Sequence, residues 1–136
     1  MFTHETTYRV RYADTDQMGY VYYGNYGRLY EIGRVEALRS LGVHYRDLEA
    51  SGVWMPVYDL HCRYLQAARY DDLLTIRTSI AKLPTARIEF EYEVRNEADT
   101  LLNTGQTTLV FVRAANQRPM PAPTELIQKL APFFQS

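Results

Sequence analysis

Only one cysteine, Cys62, occurs in the chain, so no intrachain disulfide can form and the fold has to hold by packing alone. No apolar run approaches the roughly 18 to 20 residues needed to cross a bilayer. The first residues, Met-Phe-Thr-His-Glu, have neither the basic region nor the apolar core of an export signal, and a reducing cytoplasm is the expected compartment. No charge of one sign dominates: acids and bases are interspersed and nearly cancel, to a net −1. That balance argues against a nucleic-acid partner, which requires a clustered excess of Lys and Arg, and any basic patch must be local. Linkers rich in Pro, Gly or Ser, internal repeats and low-complexity tracts are missing as well. A chain of 136 residues without them is expected to form a single domain, 1-136, large enough to bury an apolar core without staples.

What is present has a clear order. Thr7 to Tyr12 alternates, with Tyr8, Val10 and Tyr12 on one face and Arg9 and Arg11 on the other, the period of a half-buried strand. After a turn from Ala13 to Gly19, a helical pattern runs from about Tyr23 to Leu41. Tyr26, Tyr30, Gly33, Ala37 and Leu41 form its apolar stripe, and Gly42 stops it. Arg28, Glu31, Arg34, Glu36 and Arg39 are left for its flanks and outer face. Gly27 and Gly33 inside a helix each cost about 1 kcal/mol relative to Ala, which predicts a packing reason such as close approach to a sheet. Tyr45 to Ala50 reads as a short helix. Four strands follow, Pro56–Leu65, Leu73–Lys82, Ala86–Arg95 and Leu101–Arg113, the last three as an antiparallel meander. Gly105 predicts a bulge or a close backbone approach. The prolines between 119 and 123 break regular structure, and Thr124 is expected to cap a closing helix over Glu125–Leu130. One strand, one long helix and four strands make an α+β plan, with the helix burying its stripe against an antiparallel sheet.

Chemistry concentrates where the first strand meets the long helix, in Tyr12-Ala13-Asp14-Thr15-Asp16-Gln17-Met18-Gly19-Tyr20-Val21-Tyr22-Tyr23-Gly24-Asn25-Tyr26. Carboxylates are favourably placed near a helix N-terminus, and the free N–H groups there can polarise a carbonyl oxygen. Taken alone, an Asp pair in a loop is more often a turn former. A calcium loop starting at Asp14 fails, because Met18 and Asn25 stand where oxygen ligands, the last a bidentate Glu, are needed. An aspartyl-phosphate site fails too, for want of a repeating βα chain.

The same stretch resembles the signature of the hotdog-fold acyl-CoA thioesterases, in the 4-hydroxybenzoyl-CoA thioesterase-like family with its Tol-Pal-associated branch. The family pattern, Asp-x-Asp-x-x-Gly followed by apolar residues and Asn-Tyr, is met here by Asp14, Asp16, Gly19, Val21, Asn25 and Tyr26. The resemblance extends from about Thr7 to Val112. It implies a curved antiparallel sheet of about five strands wrapped around one long central helix, and hydrolysis of a CoA thioester to a free acid and CoA. Asp16 would then be the general base or the nucleophile, with Asp14 holding the loop. The backbone N–H of Tyr23 would receive the thioester oxygen, with Gly24 and Asn25 adjoining the substrate. The resemblance further implies no metal, no redox cofactor, and a homodimer or homotetramer whose sites are shared between chains. CoA phosphates need cations or backbone N–H groups; Lys82 and Arg87, flanking the Leu83-Pro84-Thr85 turn, are the candidate cations, with Arg63 and Arg69 behind them. Several tyrosines crowd the junction, most as core and one or two as walls of an acyl or aromatic pocket.

Rival chemistries have less support. Cys62 as a nucleophile with His4, His44 or His61 lacks any pairing motif, and His61 and Cys62, adjacent in a strand, should face opposite sides. A zinc site from His44, His61 and Cys62 lacks paired ligand spacing. A dehydratase would want a His near the helix start, where there is none. The alternative function is a non-catalytic module binding acyl groups or an acyl-carrier protein.

Overall fold

The computed structural model describes residues 1–135. Five strands, β1 (Phe2–Arg9), β3 (Val57–Tyr64), β4 (Leu73–Ile80), β5 (Arg87–Arg95) and β6 (Leu101–Val110), form one sheet in the order β1-β4-β5-β6-β3. Every neighbouring pair is antiparallel. The expected meander β4-β5-β6 lies at its centre. Helix α1 (Tyr26–Ser40) lies across the inner face over β1, β4 and β5. A short helix α2 (Tyr45–Ala50), a two-stranded sheet of β2 (Val53–Trp54) with β7 (Val112–Arg113), and a closing helix α3 (Thr124–Leu130) complete the chain.

Alternation in the sequence becomes burial in the sheet. Ile88, Phe90, Tyr92 and Val94 of β5 are all at most 2% exposed, and Leu74, Ile76 and Ile80 of β4 are fully covered beside them. Helix α1 presents Tyr26, Leu29, Tyr30, Ala37 and Leu38 to this layer. Gly33 sets the spacing: a Cβ there would lie 2.5 Å from Thr78 Oγ1 and 2.8 Å from Ile76 Cγ2, so only hydrogen lets the helix sit this low. The seat has a cost. Thr78 Oγ1 and His4 Nδ1, cross-strand neighbours beneath the helix, are buried without a hydrogen-bond partner, at about 1 to 3 kcal/mol each. Gly105 answers the expectation of a close approach, the approaching group being the Tyr30 ring, which occupies the space a Cβ would need. Tyr30 also stacks on Tyr92 at 4.3 Å. Gly27 is different, since an added Cβ would make only ordinary contact with Leu60.

Several elements depart from the sequence pattern. Strand β1 starts at Phe2, five residues before the alternation becomes visible, because His4 and Thr6 occupy inward positions. It ends at Arg9, where its partner β4 begins, so Tyr12 is no longer in the sheet. Tyr12 is 75% exposed and stacks on Tyr70 at 4.0 Å. The long helix begins with a 3-10 turn, Tyr23–Asn25, before α1 proper. Arg34, expected on the flanks or outer face of the helix, is only 8% exposed, because α2 packs over that flank and Tyr45 accepts a hydrogen bond from Arg34 Nε at 3.2 Å. The last long strand divides after Val110, where β7 leaves to pair with β2. Thr124 is the first residue of α3 and caps nothing; Pro123 precedes the helix.

Candidate active site

Asp14 gathers the chain between β1 and α1. Asp14 is 4% exposed, and its carboxylate accepts hydrogen bonds from the Tyr8 hydroxyl (2.8 Å), the Arg11 backbone N–H (2.8 Å) and the Arg28 guanidinium. Its carbonyl takes two more, from Tyr22 N–H and from the Asn25 side-chain amide, each at 2.8 Å. Burial would raise the pKa of this carboxyl, but the Arg11 N–H, the Tyr8 hydroxyl and the Arg28 charge outweigh it and hold it below its ordinary value. Asp14 therefore ties the end of β1, the flank of α1 and the helix start together as an anion.

Asp16, two residues on, has a different environment. It opens a tight turn closed by Gly19 N–H to Asp16 O (3.0 Å) and by Asp16 N–H to Tyr20 O (2.9 Å), with Gly19 at φ +79°. The single hydrogen bond to its carboxylate among the described residues comes from Met18 N–H to Oδ1 at 2.9 Å. A half-buried carboxylate with an oxygen left over and no paired cation among the described residues is free to take a proton or attack a carbonyl carbon.

Beside it, Tyr23 and Gly24 open the 3-10 turn that leads into α1. Tyr22, the residue before, supplies no side-chain cap, so these first N–H groups have no intrahelical acceptor. Asp16 and Tyr23 share the wall of one cleft of about 310 Å³, whose other walls include Met18, Tyr20, Tyr26, Tyr64 and Gln66. Burial and then the neighbouring Cys62 push the Tyr26 phenol up to about 12, so it stays protonated at neutral pH. A carboxylate and a helix start in one largely apolar cleft, four of whose lining residues are tyrosines, are the parts needed to bind and polarise a carbonyl group.

Of the residues the sequence singled out, Asp16 and Tyr23 line this cleft, and Gly24 follows Tyr23 in the turn. Asn25 is next to them, but its amide is engaged by the Asp14 carbonyl. Lys82 and Arg87 lie at the ends of the β4–β5 turn, away from this cleft, with the Arg87 guanidinium 4.6 Å above the Tyr58 ring. Cys62 faces the helix, with its sulfur 3.2 Å from the Tyr30 hydroxyl and from the Asn103 amide, while His61 points outward near Asp59. The segment from Tyr64 to Ala67 escaped the sequence reading. It reaches the cleft through backbone pairing of the next loop, with Val21 N–H on Ala68 O and a bridge between Tyr20 and Arg69, which no local pattern announces.

Residues 10–130 match the thioesterase-like superfamily. The chain belongs to that family. It is 33% identical over 119 residues to the acyl-CoA thioester hydrolase YbgC of Escherichia coli O6:H1, covering 88% of this chain and 89% of that one. Among solved structures it is similar to the DHNA-CoA thioesterase of Staphylococcus aureus, at TM-score 0.86 and 31% identity over 98% of this chain and 85% of the other. A 4-hydroxybenzoyl-CoA thioesterase variant bound to 4-hydroxybenzoyl-CoA superimposes at TM-score 0.85 with 20% identity, over 95% of this chain and 99% of that one, a likeness of fold. The sheet wrapped on one helix is the hotdog fold that the motif implied.

Proposed function

We propose that this acyl-CoA thioester hydrolase works through Asp16, with the N–H groups at the start of the Tyr23–Asn25 turn receiving the thioester oxygen. The carrying observation is the shared cleft, which puts a carboxylate without a counter-ion and unsatisfied helix-start donors around one small volume. A thiolate leaves readily, so a base or nucleophile and an oxyanion donor suffice. In one course Asp16 takes a proton from water as the water oxygen adds to the thioester carbon. In the other its oxygen adds directly, giving an anhydride that water then opens. Either way the C–S bond breaks and CoA leaves as the thiolate. Thiol release from a panel of aliphatic and aromatic acyl-CoAs tests the activity, and no release from any of them would refute it. Release from acyl-carrier-protein thioesters instead would move the partner from CoA to that protein.

The working form is a homodimer or a dimer of dimers, from a single-domain chain acting in the cytoplasm. Among the described residues no helix is long and apolar enough to cross a membrane. Strand β3 lies at the sheet edge and is open on nearly every side chain, Val57, Tyr58, Leu60 and Tyr64 being 44 to 55% exposed. An apolar edge of this kind is met by pairing with a copy of itself. Two-fold antiparallel pairing sets the Val57 end of one β3 beside the Tyr64 end of the other. Tyr58, with Arg87 above it, then approaches the partner's cleft, which is how Lys82 and Arg87 come to serve the CoA phosphates of a neighbouring site. Light scattering should give at least twice the monomer mass. Mixing Asp16→Asn chains with Lys82→Ala/Arg87→Ala chains should restore part of the activity, and a fully active monomer would refute the arrangement.

A further inference from the structure

Tyr64 stands on the edge strand β3, 41 positions from Tyr23, and its hydroxyl donates to the Tyr23 carbonyl oxygen at 3.1 Å. Its ring is held edge-on by two others, at 5.4 Å from Tyr26 and 6.3 Å from Tyr23. The Tyr23 oxygen also accepts the Tyr26 backbone N–H, so both of its acceptor directions are filled, one by the helix and one by the sheet. That oxygen and the Gly24 N–H belong to one planar peptide. A donor on the carbonyl fixes the plane and draws electron density from the nitrogen, which makes the N–H a stronger donor. On the opposite side the Tyr22 ring closes the space, since a Cβ on Gly24 would lie 2.6 Å from Tyr22 Cε2. Among the described residues, the Gly24 N–H is thus the one donor of this turn whose peptide is gripped from outside the helix.

We propose that Tyr64 is a positioning residue for hydrolysis, its hydroxyl aiming and strengthening the Gly24 N–H as an oxyanion donor through the Tyr23–Gly24 peptide. The inference rests on the hydrolytic role of the cleft given above. Burial, with help from Cys62, raises the Tyr64 phenol above its ordinary value and keeps it a donor through the neutral range. The relay transfers no proton; it acts on the geometry and polarity of a peptide that touches the substrate.

Tyr64→Phe keeps the ring and removes only the hydroxyl. The expected result is a kcat about fivefold to tenfold lower, a fraction of the effect of losing an oxyanion donor outright, with KM within about twofold. A second readout is the bond itself. Benzoyl-CoA carrying ¹³C at the thioester carbonyl, bound to the Asp16→Asn protein, should show its carbonyl stretch shifted down in infrared difference spectra, and adding Tyr64→Phe should reverse part of that shift. An unchanged carbonyl stretch in the double variant overturns the proposal, whatever happens to kcat, as does an effect confined to KM. Failure of the hydrolytic reading would look different: Asp16→Asn would still turn over, and the bound thioester would disappear during the measurement.

Discussion

Two turns separated by one residue carry the two carboxylates of this site, and they have been given opposite surroundings. The turn Tyr12–Asp14 closes on a buried carboxylate with three donors, one of them a guanidinium. The turn Asp16–Gly19 leaves its carboxylate with one backbone N–H and an open cleft. The same side chain is a bound structural anion in the first case and, in the function proposed above, the reacting group in the second. The difference lies in what the neighbouring elements bring: β1 contributes Tyr8 and α1 contributes Arg28 to Asp14, and neither reaches Asp16. The scaffold satisfies one carboxylate and leaves the other facing the cleft.

The largest break in that contrast is Asp16→Asn, which keeps shape and removes the base or nucleophile. It should lower kcat by at least about 10²-fold and leave the urea midpoint unchanged; near-native turnover would transfer the chemistry elsewhere. Asp14→Asn should do the reverse in emphasis. It gives up a charge-assisted contact to Arg28 and should cost about 2 kcal/mol in denaturant unfolding, with a smaller loss of activity than Asp16→Asn. Arg28→Gln should cost a similar amount, and the double variant Asp14→Asn/Arg28→Gln little more than either, because both remove one interaction. Full additivity would show that the pair does not act as a unit.

Lys82→Ala and Arg87→Ala sharpen the contrast from outside the turns. Each should raise KM for CoA thioesters severalfold and leave kcat alone, as the loss of a remote contact does. A truncated thioester lacking the nucleotide should be indifferent to both; equal effects on the two substrates would move the phosphate site. The smallest effect concerns pH. Asp14 is held below its ordinary value of 3.8 in the folded protein, so the unfolded chain binds more protons across that interval. Its contribution to stability is whole above pH 3.8 and is lost as pH falls through the folded value. Denaturation midpoints followed into acid should therefore fall less steeply for Asp14→Asn than for the unaltered protein.

The strands and helices were legible wherever apolar residues alternate or repeat: β5, α2 and the helix that fills the sheet follow from the order of residues alone. The fold family was legible in the residues from Asp14 to Tyr26. What escaped has a physical cause. Strand β1 begins among His4 and Thr6, polar residues turned inward, and β2 is two residues long, too short for any period. Arg34 reads as a surface charge until α2 covers it with Tyr45. The division of labour between Asp14 and Asp16 could be taken from the motif but not from the residues, since Tyr8 and Arg28 meet Asp14 only after the chain folds. Tyr64 is further still, joined to Tyr23 by the pairing of an edge strand with β6.

Gly33, at the middle of α1, lets the helix rest directly on Thr78 and Ile76, and the turn with the Tyr23 and Gly24 N–H groups leads into its N-terminal end. In mechanical terms Gly33 is a fulcrum. A methyl group added there has no room unless Thr78 and Ile76 give way or the helix lifts, and a lift would move the helix start relative to Asp16, which is fixed to the β1 side through Asp14. In the function proposed above, such a lift would detune the reaction by changing an angle, with every proposed reacting group still present.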